Sequence, residues 1–297
     1  MFAIKVILQK YLVIKRKEDN TFQNIKQMIT MWVANQIQNA LGSIGYYLVE
    51  SSNESALQSF FLRLQPIVNP PELMRLGNSN DGGYVLPLHL KNISKVISPG
   101  CDKKWDFEKE IFDKYGVTSL ILDSEDKRPS NLYSEITYIP KLLGPEDDID
   151  TISLDTLVSD NMQKNSRLIL QMDIEGSEYE VLRHAKISSL NQFEIMIIEF
   201  HNLGRLRNQA FLDHYVVSVF DSILKSFDIL NFNINNFGGT WKFNGKIYPR
   251  VIEITFIRKG WQHRYPDRRK VGEQNLNIRN SLFFPHFETE KFYQQFR

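Results

Sequence analysis

An apolar run that turns acidic constrains the fold of this chain more than any other stretch. It spans Leu168–Met172, and residues 173–180 continue as DIEGSEYE. The apolar run is typical of a buried parallel strand. Ser177 and Glu180 have the spacing of a capping box, which predicts that a helix begins near Gly176. The segment therefore predicts a strand, a short acidic turn and a helix.

Asp173 and Glu175 follow that strand directly, and open α/β sheets bind ligands at the carboxyl ends of their strands. A second apolar run, Phe193–His201, repeats the arrangement and contains Glu199 and His201. A strand–helix–strand crossover makes the two strands parallel neighbours about 4.8 Å apart. Asp173, Glu199 and His201 are therefore expected to converge on one small ligand. The alternative interpretation is a turn of solvated acids beside a hydrogen-bonded structural histidine.

The composition favours a globular enzyme-sized chain. Its 297 residues are 42% hydrophobic and 12% aromatic, enough for one α/β domain and an appendage. Lys+Arg 36 against Asp+Glu 35 leaves a net charge of +1, which argues against nucleic acid as a partner. There is no transmembrane pattern and no signal peptide pattern. The single Cys101 allows no internal disulfide and no thiolate metal site, so we expect a cytoplasmic protein.

The first 42 residues contain two helical patterns. Phe2–Lys17 is a basic amphipathic pattern, and Thr21–Leu41 is a second one that Gly42 caps. The first pattern favours packing on the domain or on a second copy of the chain. Packing on a second copy would make the protein a homo-oligomer. Attachment to a membrane surface is the alternative.

Prolines divide the chain into an appendage and a core. Ser51 and Glu54 predict a capped helix before Pro66–Pro71, and the prolines end it. We therefore predict a helical appendage over residues 1–70 and an α/β domain over 71–297. Residues 260–297 are expected to form an aromatic arm that packs on the domain or acts as a lid.

A glycine and an acid follow two further predicted strands. Lys95–Ser98 precedes Pro99-Gly100, and Ser119–Leu122 precedes Asp123, which follows Gly100 by 23 residues. A glycine lets a ligand approach the backbone, and an acid about 20 residues later can accept hydrogen bonds from a ribose. The pair indicates a nucleoside site, although the full G-x-G-x-x-G pattern is absent.

The remaining patterns complete a sheet. Ile136–Ile139 predicts another strand, and Asp81-Gly82-Gly83 predicts a hairpin turn. Ile229–Ile234 and Arg250–Ile257 are late strands whose connection is too short for a helical crossover, so they are expected to pair antiparallel.

Together these motifs resemble the FkbM-type methyltransferases, a branch of the S-adenosylmethionine-dependent, Rossmann-like class. The resemblance covers about residues 75–259, and Asp173-Ile174-Glu175-Gly176 is its most specific part. The matching positions are 81–85, 98–100, 107–108, 123, 154–157, 172–178, 198–199, 235–236 and 249–253.

The resemblance implies a mostly parallel seven-stranded sheet with an antiparallel last strand pair, and methyl transfer to a hydroxyl, often of a sugar. There are two departures, since no second glycine follows Gly100 and Asn233 stands where a histidine is expected. The positions expected to contact S-adenosylmethionine are Asp81, Tyr84, Gly100, Asp102, Asp123, Ser124 and Asp173.

The predicted catalytic residues are Asp173, Glu175, Glu199 and His201. An acceptor hydroxyl needs a base, a metal that acidifies it, or both. Asp173 and Glu199 suit Mg²⁺ or another divalent ion, with His201 as the base, and this route is slightly favoured. Without a metal, His201 or Asp173 takes the proton. The competing functions are a non-catalytic scaffold in glycan assembly and a nucleotide-sugar or dinucleotide enzyme.

Overall fold

The structure is a computed structural model, and it describes residues 29–30, 32–33, 36–41, 49–266, 276–281 and 285–297. The chain divides into two compact units, Met1–Glu50 and Ser51–Arg297. The described residues of the first unit up to 41 are helical, within the predicted Thr21–Leu41 helix. Phe2–Lys17 and the Gly42 cap lie outside the described residues. In the parts described, no helix is both long and apolar enough to cross a membrane.

The second unit contains thirteen strands among its described residues. Seven of them form one sheet in the order β10-β13-β9-β8-β3-β4-β5. The strands are β1 (Leu73–Gly77), β2 (Gly83–Pro87), β3 (Ile93–Pro99), β4 (Thr118–Leu122), β5 (Ile136–Ile139), β6 (Leu142–Gly144), β7 (Thr151–Ser153), β8 (Arg167–Met172), β9 (Phe193–Phe200), β10 (Phe227–Ile234), β11 (Thr240–Phe243), β12 (Lys246–Pro249) and β13 (Ile252–Arg258).

The directions of the strands confirm the sheet that the sequence predicts. Strands β5, β4, β3, β8 and β9 run parallel, and β13 is antiparallel to both of its neighbours, β9 and β10. Strands β8 and β9 are parallel neighbours, as expected for the two apolar runs. The molecule is therefore a mixed α/β protein with a large, mostly parallel sheet.

Helices connect most of these strands. The α-helices are α1 (Glu54–Leu62), α2 (Asp106–Tyr115), α3 (Leu154–Asn161), α4 (Glu178–His184), α5 (Ile187–Leu190), α6 (Gln209–Phe211), α7 (Ser218–Ser226), α8 (Trp261–Arg264) and α9 (Thr289–Gln294). A π-helical segment, Leu212–Val217, joins α6 to α7, and Glu125–Lys127 and Leu203–Arg207 are 3₁₀ turns.

Both faces of the sheet are covered, which is why β9 is buried at every position. On one face, Met196, Ile198 and Phe200 of β9 pack with apolar residues of α1, α3, α4, α7 and α9. On the other face, Ile195 and Ile197 pack with the antiparallel β1–β2 hairpin and α2. This hairpin is the one that Asp81-Gly82-Gly83 predicts.

The predicted cap of α1 is wrong. Asn53 caps this helix, because its Oδ1 accepts hydrogen bonds from the backbone N–H groups of Ser55 and Ala56 at 2.8 and 3.2 Å. Ser51 instead forms an isolated bridge with Asn208. Both serine and asparagine favour the cap position, and the side chain directly before the first turn occupies it.

The predicted capping box of α4 is also wrong. Ser177 lies at the cap position, but its side chain makes no capping hydrogen bond. Glu180 lies near Arg183 instead, at 3.8 Å. The N–H of Gly176 donates to Glu178 Oε1 at 2.9 Å, so the acid at the first helical position, rather than the one at the third, satisfies the turn.

The compact second unit begins before the predicted domain boundary at residue 70. Leu57, Phe60 and Phe61 of α1 belong to the same hydrophobic core as the large sheet. The division into an appendage of residues 1–70 and a domain of 71–297 remains a prediction. Within it, residues 51–70 are bound to the core by the burial of α1.

Candidate active site

Gly100 directly follows β3, where the strand order of the sheet reverses. Strand β4 lies on one side of β3 and β8 lies on the other. Its N–H donates to Leu122 O at 2.8 Å, and Asp173 N donates to Pro99 O at 3.2 Å. The φ of Gly100 is +86°, and a Cβ at this position would collide with the backbone carbonyl oxygen of Asp173. Glycine is therefore required where the ends of β3 and β8 approach each other.

Two cavities lie on either side of this glycine, and we call them together the Gly100 cleft. Their volumes are 90 and 310 Å³, and both are lined by Gly100, Asp102, Asp173 and Glu175. Ligand sites of α/β sheets lie at such a reversal point, outside the carboxyl ends of the strands. The cleft is therefore the candidate binding site.

Asp123 lines the larger cavity with a carboxylate whose position is fixed by the backbone. Its Oδ2 accepts a hydrogen bond from Asp102 N at 3.1 Å, and its Oδ1 accepts one from Ser124 N at 2.8 Å. The Cys101 thiol also donates to Oδ2, at 3.8 Å, so Oδ1 has the greater capacity to accept a further hydrogen bond, which suits a ribose hydroxyl. Ser124 contributes this backbone bond but is not among the described residues that line the cleft.

Asp81 and Tyr84 line the smaller cavity. Asp81 forms an ion pair with Lys104 at 2.9 Å. The buried hydroxyl of Tyr84 accepts a hydrogen bond from Gln171 Nε2 at 2.8 Å, and burial raises the pKa of Tyr84 well above its usual value. Asp81 thus adds an exposed acid, and Tyr84 a neutral phenol, to the other acids that line the smaller cavity.

In the loop after Gly100, which lacks a second glycine, two other residues adopt the left-handed backbone conformation. Asp102 and Lys103 have φ values of 41° and 64°. The carboxylate of Asp102 is paired with Lys127, and this hydrogen bond lowers the pKa of Asp102. The loop therefore turns as a glycine-rich loop does, but it presents charged side chains at the mouth of the cleft.

His201 is surrounded by four carboxylates, and we call these five residues the His201 cluster. Its Nδ1 is 2.9 Å from Glu178 Oε1. Its Nε2 lies 3.4 Å from Glu175 Oε2, 3.5 Å from Glu199 Oε1 and 3.7 Å from Asp173 Oδ1. Asp173, Glu199 and His201 converge as the two strands predict, and Glu175 joins them.

The imidazole of His201 lies one side chain away from the cleft. Asp173 and Glu175 line both cavities, whereas His201, with a side chain that is 13% exposed, lies behind them. The φ of Glu175 is +55°, so the turn after β8 is left-handed at this acid. Glu199 is held from the other side by Asn235, whose Nδ2 donates to Glu199 Oε1 at 2.7 Å.

Burial and mutual repulsion change how these groups titrate. Burial raises the pKa of Asp173 to about 7, and the charges of Glu175 and Glu178 add to the rise while His201 opposes it. Burial also raises the pKa of Glu199 well above its usual range. Burial lowers the pKa of His201, but the Glu178 hydrogen bond and the nearby carboxylates outweigh it, so this pKa is raised. The cluster can therefore hold and exchange protons near neutral pH.

Glu178 is the functional candidate that the sequence reasoning missed. It lies in the first turn of α4 and is fully buried, and its Oε1 lies within hydrogen-bond distance of both Gly176 N and His201 Nδ1. Its position in the DIEGSE segment was the available signal. A carboxylate on Nδ1 fixes the orientation of an imidazole and leaves Nε2 to act.

Three residues of the His201 cluster have the geometry to hold a divalent cation. One ligand atom each from Asp173, Glu199 and His201 lie within 4.8 Å of one another. Among the described residues, Asp173 Oδ1 is buried without a hydrogen-bond partner. In metal-binding histidines, the ring nitrogen that does not bind the metal commonly contacts a carboxylate, as Nδ1 of His201 contacts Glu178. The structure thus adds a nitrogen to the predicted oxygen ligands. Mg²⁺ prefers oxygen ligands, whereas imidazole also suits Mn²⁺, Fe²⁺ or Zn²⁺.

Solved structures of several methyltransferases are distantly similar to this chain. A precorrin-6y C5,15-methyltransferase from Geobacter metallireducens is 9% identical over 57% of this chain and 84% of its own, with a TM-score of 0.32. Fibrillarin from Methanococcus jannaschii, a pre-rRNA processing protein, is 13% identical over 57% of this chain and 68% of its own, with a TM-score of 0.33. Scores this low support no inference about the substrate. No curated protein matches the chain.

A family model gives the clearer result. The model described as the methyltransferase FkbM domain matches residues 105–234, from the start of α2 to the end of β10. The matched segment contains Asp123 and the whole His201 cluster, while Asp81 and Gly100 precede it. The resemblance found in the sequence is therefore confirmed: residues 105–234 of this chain match the methyltransferase FkbM domain.

Proposed function

We propose that this protein is an S-adenosylmethionine-dependent O-methyltransferase that acts on a hydroxyl group of a sugar. The observation that carries the proposal is the His201 cluster, a carboxylate-oriented imidazole directly behind the Gly100 cleft. The family match supports methyl transfer, and the resemblance to FkbM-type enzymes supports a sugar acceptor.

In this proposal the Gly100 cleft holds the cofactor. The amino-acid end lies in the smaller cavity beside Gly100, Asp81 and Tyr84, and Asp123 accepts hydrogen bonds from the ribose in the larger one. When bound, S-adenosylmethionine supplies an electrophilic methyl group on a sulfonium. Asp173 and Glu175, which line both cavities, then face the acceptor.

His201 is the proposed base. A neutral hydroxyl is a weak nucleophile, so its proton must leave during attack on the methyl group. Nδ1–H of His201 donates to Glu178, and Nε2 accepts the proton on the side that faces Asp173 and Glu199. The carboxylates stabilise the imidazolium that forms. Asp173, with its pKa near 7, is the alternative base.

A metal-assisted version of the same chemistry uses Asp173, Glu199 and His201 as ligands. These three residues would hold the ion, which would supply Lewis acidity towards the acceptor hydroxyl. Neither His201 Nε2 nor Asp173 would then be free to act as a base, and Glu175, which is mostly exposed and lies 3.4 Å from His201 Nε2, would be the carboxylate left to take the proton.

We extend the proposal to a cytoplasmic enzyme that self-associates through its N-terminal helices. A single cysteine, buried and unpaired, fits a reducing compartment. The helices that would mediate association lie mostly outside the described residues, so the sequence pattern alone supports this part.

Transfer of a labelled methyl group to a panel of glycans tests the chemistry. On an accepted glycan, His201→Ala and Asp173→Asn should each lower turnover about 10²–10⁴-fold, the usual contribution of a general base. His184→Ala is the matched control, because His184 is an exposed histidine on α4 outside the cluster. Near-parental turnover in both cluster variants would exclude this edge as the catalytic site.

Chelation separates the two routes. Loss of turnover in EDTA, with recovery on addition of Mg²⁺ or Mn²⁺, indicates the metal-assisted route. Unchanged turnover in EDTA indicates direct proton removal by His201. A chain that binds S-adenosylhomocysteine but methylates no glycan would favour the non-catalytic scaffold.

A further inference from the structure

A second cavity lies away from the Gly100 cleft, where the C-terminal arm covers the edge strand β10. Its volume is 520 Å³, within the roughly 300–1,000 Å³ range of small-molecule sites. Residues Gln65 and Pro66 line one side of it. The other lining residues include Asn233, Asn277, His286, Thr289, Tyr293 and Arg297. Most of its wall is thus made of uncharged polar side chains.

Among the described residues, two polar atoms of the cavity lining have no hydrogen-bond partner. Tyr293 is 8% exposed, yet its hydroxyl finds no partner in the described parts of the chain, and neither does the buried Nδ1 of His286. Buried polar groups are normally satisfied, so each unpaired one requires an explanation. A ligand with hydroxyl groups in the cavity would satisfy both atoms.

The register of the sheet gives the distance between this cavity and the His201 cluster. Asn233 of β10 lies opposite Glu253 of β13, which lies opposite Glu199 of β9. Two strand spacings separate Asn233 from Glu199, about 10 Å. At Asn233, where the family resemblance leads to a histidine, this chain has an amide that can donate and accept hydrogen bonds but cannot act as a base.

The charges of the lining residues do not favour an anion. Glu288 and Glu290 line the cavity together with Arg297. Glu288 is paired with Lys291 at 3.0 Å, and this lysine is not among the lining residues. The described lining residues therefore offer no positive excess for a phosphate, sulfate or uronate group.

We infer that this cavity is an acceptor subsite that binds the non-reacting part of a neutral oligosaccharide. Sugar hydroxyls both donate and accept hydrogen bonds, which matches amides, a phenol and an imidazole. The reacting hydroxyl then lies at the His201 cluster while the next sugar units occupy the cavity. The inference rests on the proposed function and specifies its substrate class.

An array of neutral and acidic oligosaccharides, probed with the full chain, tests the inference. We expect binding to neutral members, and Tyr293→Phe should weaken it about tenfold through loss of one hydrogen bond. Arg297→Ala, at an exposed position, should weaken it as well. Tyr248→Phe is the matched control, because Tyr248 is also buried with an unpaired hydroxyl but does not line the cavity.

Each outcome bears on the inference separately from the proposed function. Binding that is lost in Tyr293→Phe and kept in Tyr248→Phe and Asp123→Ala supports it, even if no methyl group is transferred. Binding only to acidic glycans, no binding to any neutral glycan, or equal loss in the two tyrosine variants would overturn it. Binding of S-adenosylhomocysteine without neutral glycan binding would leave the proposed cofactor site intact and remove this subsite.

Discussion

Asp123 is the single side chain that best reports on cofactor binding. Its carboxylate is held by the backbone N–H groups of Asp102 and Ser124 and faces the larger cavity of the Gly100 cleft. Asp123→Ala should remove hydrogen bonds to a charged acceptor, worth about 1.5–3 kcal/mol, and weaken S-adenosylhomocysteine binding roughly tenfold to a hundredfold. Isothermal titration calorimetry measures this change.

The control for this variant is Asp126→Ala, which removes an exposed acid from the same loop. Its affinity for S-adenosylhomocysteine should equal that of the parent. Equal affinities in Asp123→Ala and the parent would remove Asp123 from the cofactor site. A parent chain that binds NAD but not S-adenosylhomocysteine would point instead to the dinucleotide enzyme.

At the residue scale, the sequence predicts which strand ends meet but not which side chains bond. Asp173, Glu199 and His201 converge because they follow or end neighbouring parallel strands, a consequence of pattern and topology. The bond from Glu178 to His201 crosses from a helix to a strand end, and a loop conformation with Glu175 at positive φ determines it. Such contacts are set by tertiary packing, which periodicity does not encode.

At the element scale, β13 carries a buried acid in the middle of the sheet. Glu253 is 1% exposed and its Oε1 has no hydrogen-bond partner. Burial raises the pKa of Glu253 from 4.5 to about 8, although the charge of Arg75 opposes the rise. The folded state therefore binds a proton that the unfolded state releases between these values, so its stability falls as pH rises through this window.

Glu253→Gln removes this pH dependence. The variant and the parent should have similar unfolding free energies near pH 4.5, and the variant should become more stable by about 5 kcal/mol near pH 9, above the folded-state pKa. Urea denaturation at several pH values measures the difference. Glu72→Gln, at an exposed glutamate, should show no such trend. A constant difference for Glu253→Gln across pH would mean that Glu253 stays ionised in the folded protein.

The sequence predicts the elements that contain long apolar runs, but it does not predict the short strands. The seven-stranded sheet, the β1–β2 hairpin and the antiparallel β10–β13 pair follow from runs of four or more apolar-rich residues. The three-residue strands β6 and β7 and the β11–β12 hairpin were missed. Their residues carry little periodic signal, and pairing with a neighbour rather than local pattern makes them strands.

At the scale of the whole molecule, the C-terminal helix α9 packs into the same hydrophobic core as α1, the first helix of the second unit. Phe292 of α9 is fully buried. Its ring lies 5.1 Å from that of Phe61 in α1 and 6.0 Å from that of Phe232 in β10, measured between centroids. The described part of the C-terminal arm is thus part of the fold as well as a wall of the second cavity.

Phe292→Ala should therefore destabilise the whole second unit. Truncating a buried phenylalanine removes its apolar contacts and leaves a cavity, at a cost of about 3–5 kcal/mol in the free energy of unfolding. Phe237→Ala is the control, because Phe237 is 69% exposed and its loss should change stability by less than about 0.5 kcal/mol. Urea denaturation of both variants gives the comparison. If Phe292→Ala costs no more than Phe237→Ala, the arm does not pack into the core in solution, and the 520 Å³ cavity loses its outer wall.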